Sequence, residues 1–98
     1  MNSTGDIQVP YNGGLTPVVP GLSFPGAQKN FEDWGNLNVC TDMPQPLPQN
    51  GACQAYETCK DGAETILCTV QNGTHCGSYG SFGIINIAWE TLQKHALP

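Results

Sequence analysis

The stretch Ala63-Glu64-Thr65-Ile66-Leu67-Cys68-Thr69-Val70, followed by Gln71-Asn72-Gly73-Thr74-His75, decides how this chain folds. Thr65, Ile66, Thr69 and Val70 are β-branched, and the run suits a strand buried on both faces, as parallel sheets require. Asn72-Gly73 opens a polar loop that runs on through Ser78. Beyond the loop, Ile85, Ala88, Trp89 and Leu92 recur at helical spacing. They predict an amphipathic helix over about 83–95, with Glu90 and Lys94 paired on its outer side.

Upstream, a second extended segment over 53–59 leads to Lys60-Asp61-Gly62, where Asp-Gly favours a hairpin turn into the 63–70 strand. Pro44, Pro46 and Pro48 bar helix and central strand from 41–52, which reads as a covering loop. Ser23 can cap a helix over about 24–38, with Pro25 in its first turn, running through Ala27, Phe31, Trp34 and Leu37 with Ala27, Phe31 and Trp34 on one face. Residues 1–22 carry Pro10, Gly13, Gly14, Pro17, Pro20 and Gly21 and predict a loop that holds Asp6. The order is thus Asp6 loop, helix, Pro-rich excursion, strands, His75 loop and terminal helix. That order is α/β, with one edge of the 63–70 strand expected to lie unpaired.

The chain has 98 residues, which allows at most one domain with a modest core. Its net charge is −5 with only three Lys and Arg, so nucleic acid and anionic membrane are poor partners, both needing clustered basic residues. No apolar run is long enough to span a bilayer. Five cysteines, at 40, 53, 59, 68 and 76, form no C-x-x-C pair. Disulfides in an oxidising compartment therefore account for them better than zinc, although the odd count leaves one thiol over. Met1 begins a polar stretch with no basic and apolar leader pattern. An extracellular protein that has lost an N-terminal region reconciles this with the cysteines. Sequons at Asn2-Ser3-Thr4 and Asn72-Gly73-Thr74 suit secretion, but a glycan at Asn72 would crowd His75, so that site is expected to be unmodified.

His75 lies directly after the strongest strand signal and before the strongest helix signal. Ligands in open α/β sheets bind at the carboxyl ends of strands, so an imidazole there can reach a substrate. Position alone fits equally a loop histidine that merely bonds backbone. His95, in the last helical turn, reads as a surface residue near the helix dipole. Asp6 is the natural acid partner, since a carboxylate on the far ring nitrogen fixes the tautomer and stabilises the imidazolium. An Asx-turn in a polar loop explains Asp6 without any chemistry. Ser23, Ser78 and Ser81 all lack the G-x-S-x-G setting of a strained nucleophile turn, and Cys76 is too close in sequence to His75 to face it. The chain therefore has no nucleophile of its own.

The run Thr4-Gly5-Asp6-Ile7-Gln8-Val9-Pro10-Tyr11-Asn12-Gly13-Gly14 resembles the segment around the catalytic acid in the feruloyl esterase and polyhydroxybutyrate depolymerase-like family of α/β-hydrolases. Tyr56, Cys59, Gly62, Glu64, Leu67 and Asn72-Gly73-Thr74-His75 resemble that family's C-terminal pattern, and His75-Cys76-Gly77-Ser78-Tyr79 its secreted fungal branch. The resemblance implies the last strands and helices of a mostly parallel α/β-hydrolase sheet, incomplete as a domain. It makes Asp6 the acid and His75 the base of a Ser-His-Asp triad whose serine lies before residue 1. It implies a monomeric enzyme without cofactor or metal, releasing hydroxycinnamic acids from plant cell-wall polysaccharide. The substrate is then a polysaccharide-linked or small ester. Acetylxylan esterase and polyester depolymerase are the alternatives within the family, and a non-catalytic disulfide-stapled module the alternative outside it. By the same resemblance Cys40 and Cys59 pair, leaving Cys53, Cys68 and Cys76 unassigned. The chain departs from the pattern at Asn2-Ser3, where the family has His-Gly, and at Cys76-Gly77, where it often has Trp-Pro.

Overall fold

A computed structural model describes residues 1–48, 50–75 and 84–95. Along the chain run strands β1 (Asn2–Ser3), β2 (Gly14–Leu15) and β3 (Ser23–Phe24), helix α1 (Ala27–Leu37), strands β4 (Gln45–Leu47) and β5 (Asn50–Tyr56), a 3-10 turn at Lys60–Gly62, strand β6 (Thr65–Val70) and helix α2 (Ile84–Gln93). Four strands form one sheet in the order β1-β6-β5-β4, while β2 and β3 pair separately as a small hairpin.

The main sheet is mixed rather than mostly parallel. β5 and β6 are antiparallel, with Cys53 opposite Cys68 and Tyr56 opposite Thr65, because a short loop can only return the chain in the opposite direction. Asp61 (φ 56°) and Gly62 (φ 73°) supply the left-handed backbone of that return. β1 lies parallel to β6, Asn2 opposite Thr69 and Ser3 opposite Val70. The 63–70 strand's expected bare edge is thus found only in part: β5 covers one side, and on the other β1 pairs with Thr69 and Val70 but not with Thr65–Cys68.

Two further expectations are corrected at the sheet's rim and at α1. The 41–52 stretch is no mere covering loop, since Gln45–Leu47 pairs with β5 as an edge strand. Pro46 is tolerated there because an edge position leaves its missing N–H without consequence. Ser23 does not cap α1; it belongs to β3, and Gly26 (φ 95°) is the N-cap. A Cβ at Gly26 would come within 3.0 Å of the Asn12 and Gly13 backbone, so the helix starts where only glycine lets the two chains pass.

The core is split by the sheet. On one face Leu47, Cys53, Ala55 and Cys68 pack with Ile87 of α2; on the other Leu67 packs with Ala27 and Phe31 of α1, supported by Tyr11 and Tyr56. Alternation along β6 thus feeds Ile66 and Cys68 to one layer and Leu67 to the other, which is burial on both faces. The inward side of α1 is Ala27, Phe31 and Gly35, whereas Trp34 is 52% and Leu37 71% exposed. Gly35 wins the inner position because the Tyr56 ring fills the space that a Cβ would need. In α2, Ile87 is buried, while Ala88, Trp89 and Leu92 face outward. Ile87 lies about 150° around the helix from the centre of the expected Ile85, Ala88, Trp89 and Leu92 stripe, so α2 turns a different face to the sheet from the one the spacing marks. Lys94 reaches Glu64 (3.8 Å) rather than serving Glu90, and His95 approaches the same carboxylate at 3.8 Å.

Two disulfides staple the arrangement. Cys40–Cys59 ties the end of α1 to the loop after β5, and Cys53–Cys68 bridges directly opposed residues of β5 and β6. The first is the pairing that the resemblance implied; the second takes two of the three unassigned cysteines. Cys76, Ser78 and Ser81 lie outside the described residues.

Candidate active site

Parallel strands end on the same side of a sheet, and this brings the site together. β1 delivers Thr4-Gly5-Asp6 and β6 delivers Gln71 to His75 at one sheet end, although the two loops are 69 residues apart in sequence. Their backbones interlock. The Thr4 N–H donates to Val70 O (3.0 Å), and the Asn72 N–H donates to Thr4 Oγ1 (2.7 Å). Asn72 takes the left-handed region (φ 58°), turning the chain sharply after β6. Close approach also needs two glycines: a Cβ at Gly5 would sit 2.5 Å from Gly73 O, and one at Gly73 would sit 2.7 Å from Ser3 Oγ.

The interlock sets Asp6 Oδ2 3.0 Å from His75 Nδ1. The other carboxylate oxygen accepts from the backbone N–H of Gln8 (2.9 Å) and Val9 (3.0 Å). The Asx-turn and the acid partner, which compete as readings of the sequence, are thus one arrangement: the turn aims the carboxylate at the ring. Partial burial alone would raise the Asp6 pKa. The Val9 N–H, the His75 ring and the Gln8 N–H outweigh it and hold the carboxyl below its ordinary value of 3.8. Asp6 is therefore an anion at neutral pH and can only accept, so Nδ1 of His75 carries the proton. The free nitrogen is Nε2. With side chains 13% and 37% exposed, Asp6 is screened and His75 opens to solvent.

Such a pair can take a proton at Nε2 and tolerate the resulting imidazolium, the task of a general base with its orienting acid. No hydroxyl nucleophile stands with it among the described residues: Ser3 is buried and Ser23 lies in the β2–β3 hairpin. His95, near Glu64, is remote from the pair and stands at the other end of β6 from His75. Sequence reasoning did not single out Thr4, Gly5 or Tyr11 by role, although all stand in the segment it compared. Tyr11 Oη shares a 2.7 Å hydrogen bond with Thr69 Oγ1 and accepts from Gln28 Nε2 (3.0 Å), tying the acid's loop to β6 and α1. No local sequence signal announces contacts made 58 residues apart.

The chain is similar to feruloyl esterase B of Piromyces equi, with 38% identity over 100 aligned residues. The match takes in the whole of this chain but 18% of the length of that relative. It is thus related to a feruloyl esterase over a stretch much shorter than the enzyme. No protein-family model matches the chain, and no solved structure matches it.

Proposed function

We propose that these residues are the acid-and-base portion of a secreted serine esterase of feruloyl type, the C-terminal part of an α/β-hydrolase sheet. The observation that carries this reading is the 3.0 Å Asp6–His75 contact at the common end of two parallel strands. The 38% identity to a feruloyl esterase supports the ester as substrate, and two disulfides suit an extracellular enzyme.

In the proposed reaction His75 Nε2 accepts the proton of a serine supplied from outside these residues as its oxygen attacks the ester carbonyl. Asp6, held as an anion, stabilises the imidazolium that forms. The proton then passes from Nε2 to the departing alcohol oxygen, leaving an acyl-serine. Water attacks this acyl-enzyme while Nε2 accepts its proton, and return of that proton to serine frees the acid. On this reading the acid is a hydroxycinnamate and the alcohol a cell-wall polysaccharide.

A chimaera tests the proposal directly: residues 1–98 replace the matching stretch of the Piromyces relative. Methyl ferulate hydrolysis by the chimaera is expected to fall by about 10⁴-fold with Asp6→Asn and at least as far with His75→Ala. A folded, active chimaera indifferent to His75→Ala would remove the basis of the reading.

A further inference from the structure

Glycines at 5 and 73 let the Asp6 and His75 loops approach, but a missing side chain only permits a contact and does not enforce it. Main-chain pairing does little more. β1 pairs with β6 over two residues, and the ladder ends where the Thr4 N–H donates to Val70 O. Asp6 lies two residues past Thr4, and His75 five residues past Val70, so the ladder reaches neither functional side chain. Other groups hold the 3.0 Å contact between them.

Two hydroxyls from the segment that carries Asp6 cross to the segment that carries His75, one on each side of the acid. On the N-terminal side Thr4 Oγ1 accepts from the Asn72 N–H (2.7 Å) and donates to Gln71 Oε1 (3.4 Å). Asn72 stands past the end of β6 in the left-handed region (φ 58°), so a side chain rather than a strand partner receives its N–H. On the C-terminal side Tyr11 Oη shares a 2.7 Å hydrogen bond with Thr69 Oγ1, and Gln28 Nε2 donates to the same phenol oxygen (3.0 Å). Tyr11 is itself fixed at its carbonyl, which accepts from the Ala27 N–H (2.7 Å), while its side chain packs against the cluster of Ala27, Phe31 and Leu67. Between the two pins the Gln8 and Val9 N–H groups aim the carboxylate. The pins fix where the turn sits on β6, and the turn fixes where the carboxylate points.

We propose that Thr4 and Tyr11 are positioning residues of the acid–base pair, their hydroxyls pinning the Asp6 loop to β6 so that the carboxylate meets His75 Nδ1. The role rests on the reading of His75 as a base and adds what holds that base ready. A carboxylate that drifts from Nδ1 no longer selects one tautomer. Rings that then carry their proton on Nε2 cannot accept another there. Both hydroxyls are engaged within the protein, so their removal acts through His75 and not through substrate binding. The signature is a fall in kcat with KM unchanged.

The test pairs shape-conserving substitutions with a spectroscopic readout that overall stability does not set. In the 98-residue chain, imidazole ¹⁵N spectra at neutral pH report the His75 tautomer. Wild type and Thr4→Ser, which keeps the hydroxyl, are expected to show the Nδ1-protonated form alone. Thr4→Val and Tyr11→Phe keep the shape and lose the oxygen; each is expected to show both tautomers with an unchanged circular dichroism spectrum. Amide exchange at Asn72 should quicken about tenfold in Thr4→Val, the scale of one hydrogen bond, and not in Thr4→Ser. Should Thr4→Val disturb the fold, Tyr11→Phe carries the test. In the chimaera with the Piromyces relative, each of these two variants is expected to lower kcat for methyl ferulate about tenfold with KM unchanged. Added to Asp6→Asn they should have no further effect, because a positioning residue acts through the group it positions. A single tautomer retained in both variants, a loss shared by Thr4→Ser, or an equal further loss in the Asp6→Asn background would overturn the proposal. Tautomer mixing as expected, in a chimaera that hydrolyses no ester, would sink the esterase reading and leave the positioning role standing.

Discussion

Gly5→Ala is the most informative small change in the molecule, because a single methyl is forced between the two loops that carry the candidate acid and base. The added Cβ would lie 2.5 Å from Gly73 O and 3.1 Å from the Asn72 carbonyl carbon, both backbone atoms that no rotamer change can move. Carbon and carbonyl oxygen normally approach no closer than about 3.3 Å, so the loops must part by on the order of 0.8 Å. The Asp6–His75 contact starts at 3.0 Å, and that displacement takes it beyond hydrogen-bonding range. Overpacking of this kind costs about 1–3 kcal/mol of stability. A misplacement near 1 Å in a catalytic constellation costs about 10²-fold in rate. Urea unfolding of the 98-residue chain reads the first effect, and the imidazole ¹⁵N spectrum reads the second through loss of the single Nδ1-protonated tautomer. In the chimaera, ester hydrolysis should drop by about two orders of magnitude. Wild-type stability together with an unchanged tautomer in Gly5→Ala would refute the interlocked-loop geometry.

Reduction of Cys53–Cys68, which closes a separation of 15 residues, should cost about 3 kcal/mol by the chain-entropy model, measurable as the difference in urea unfolding between wild type and Cys53→Ala/Cys68→Ala. Because the folded-state pKa of Asp6 is depressed below 3.8, its contribution to stability is complete above that pH and is lost as pH falls through the folded value. Wild type should therefore lose stability below about pH 4 more steeply than Asp6→Asn, as acid titrations followed by circular dichroism would reveal. Because no serine of the 98 residues stands in a G-x-S-x-G setting, the chain alone is expected to leave p-nitrophenyl esters at the background rate, and turnover abolished by His75→Ala would contradict this.

Much of the strand framework was legible from local pattern. The β-branched run before Asn72-Gly73 announces β6, and the Asp61-Gly62 pair announces an antiparallel return, since both depend on backbone preferences within a few residues. Pro46 was harder, because proline excludes a central strand but is silent about an edge. The faces of both helices misled. Trp34, Leu37, Trp89 and Leu92 lie on apolar stripes, yet Gly35 and Ile87 make the contacts with the core. In α1 the sheet covers the Gly35 margin of the apolar side, whereas in α2 it covers the Ile87 side, away from the stripe; the crossing of helix and sheet, not the period, selects the covered face.

Asp6 and His75 could be named from their sequence settings, and the chemistry of each follows from its side chain alone. Whether they meet could not be decided there, because 69 residues separate them and each has an ordinary explanation as a turn or loop residue. Tertiary structure decided it through the parallel pairing of β1 and β6, which puts both strand ends at one rim, and through the Gly5–Gly73 approach, which lets the loops touch. It alone decided the Cys53–Cys68 bridge. Local sequence governs backbone preference and side-chain chemistry, whereas proximity between distant residues exists only once the sheet has assembled.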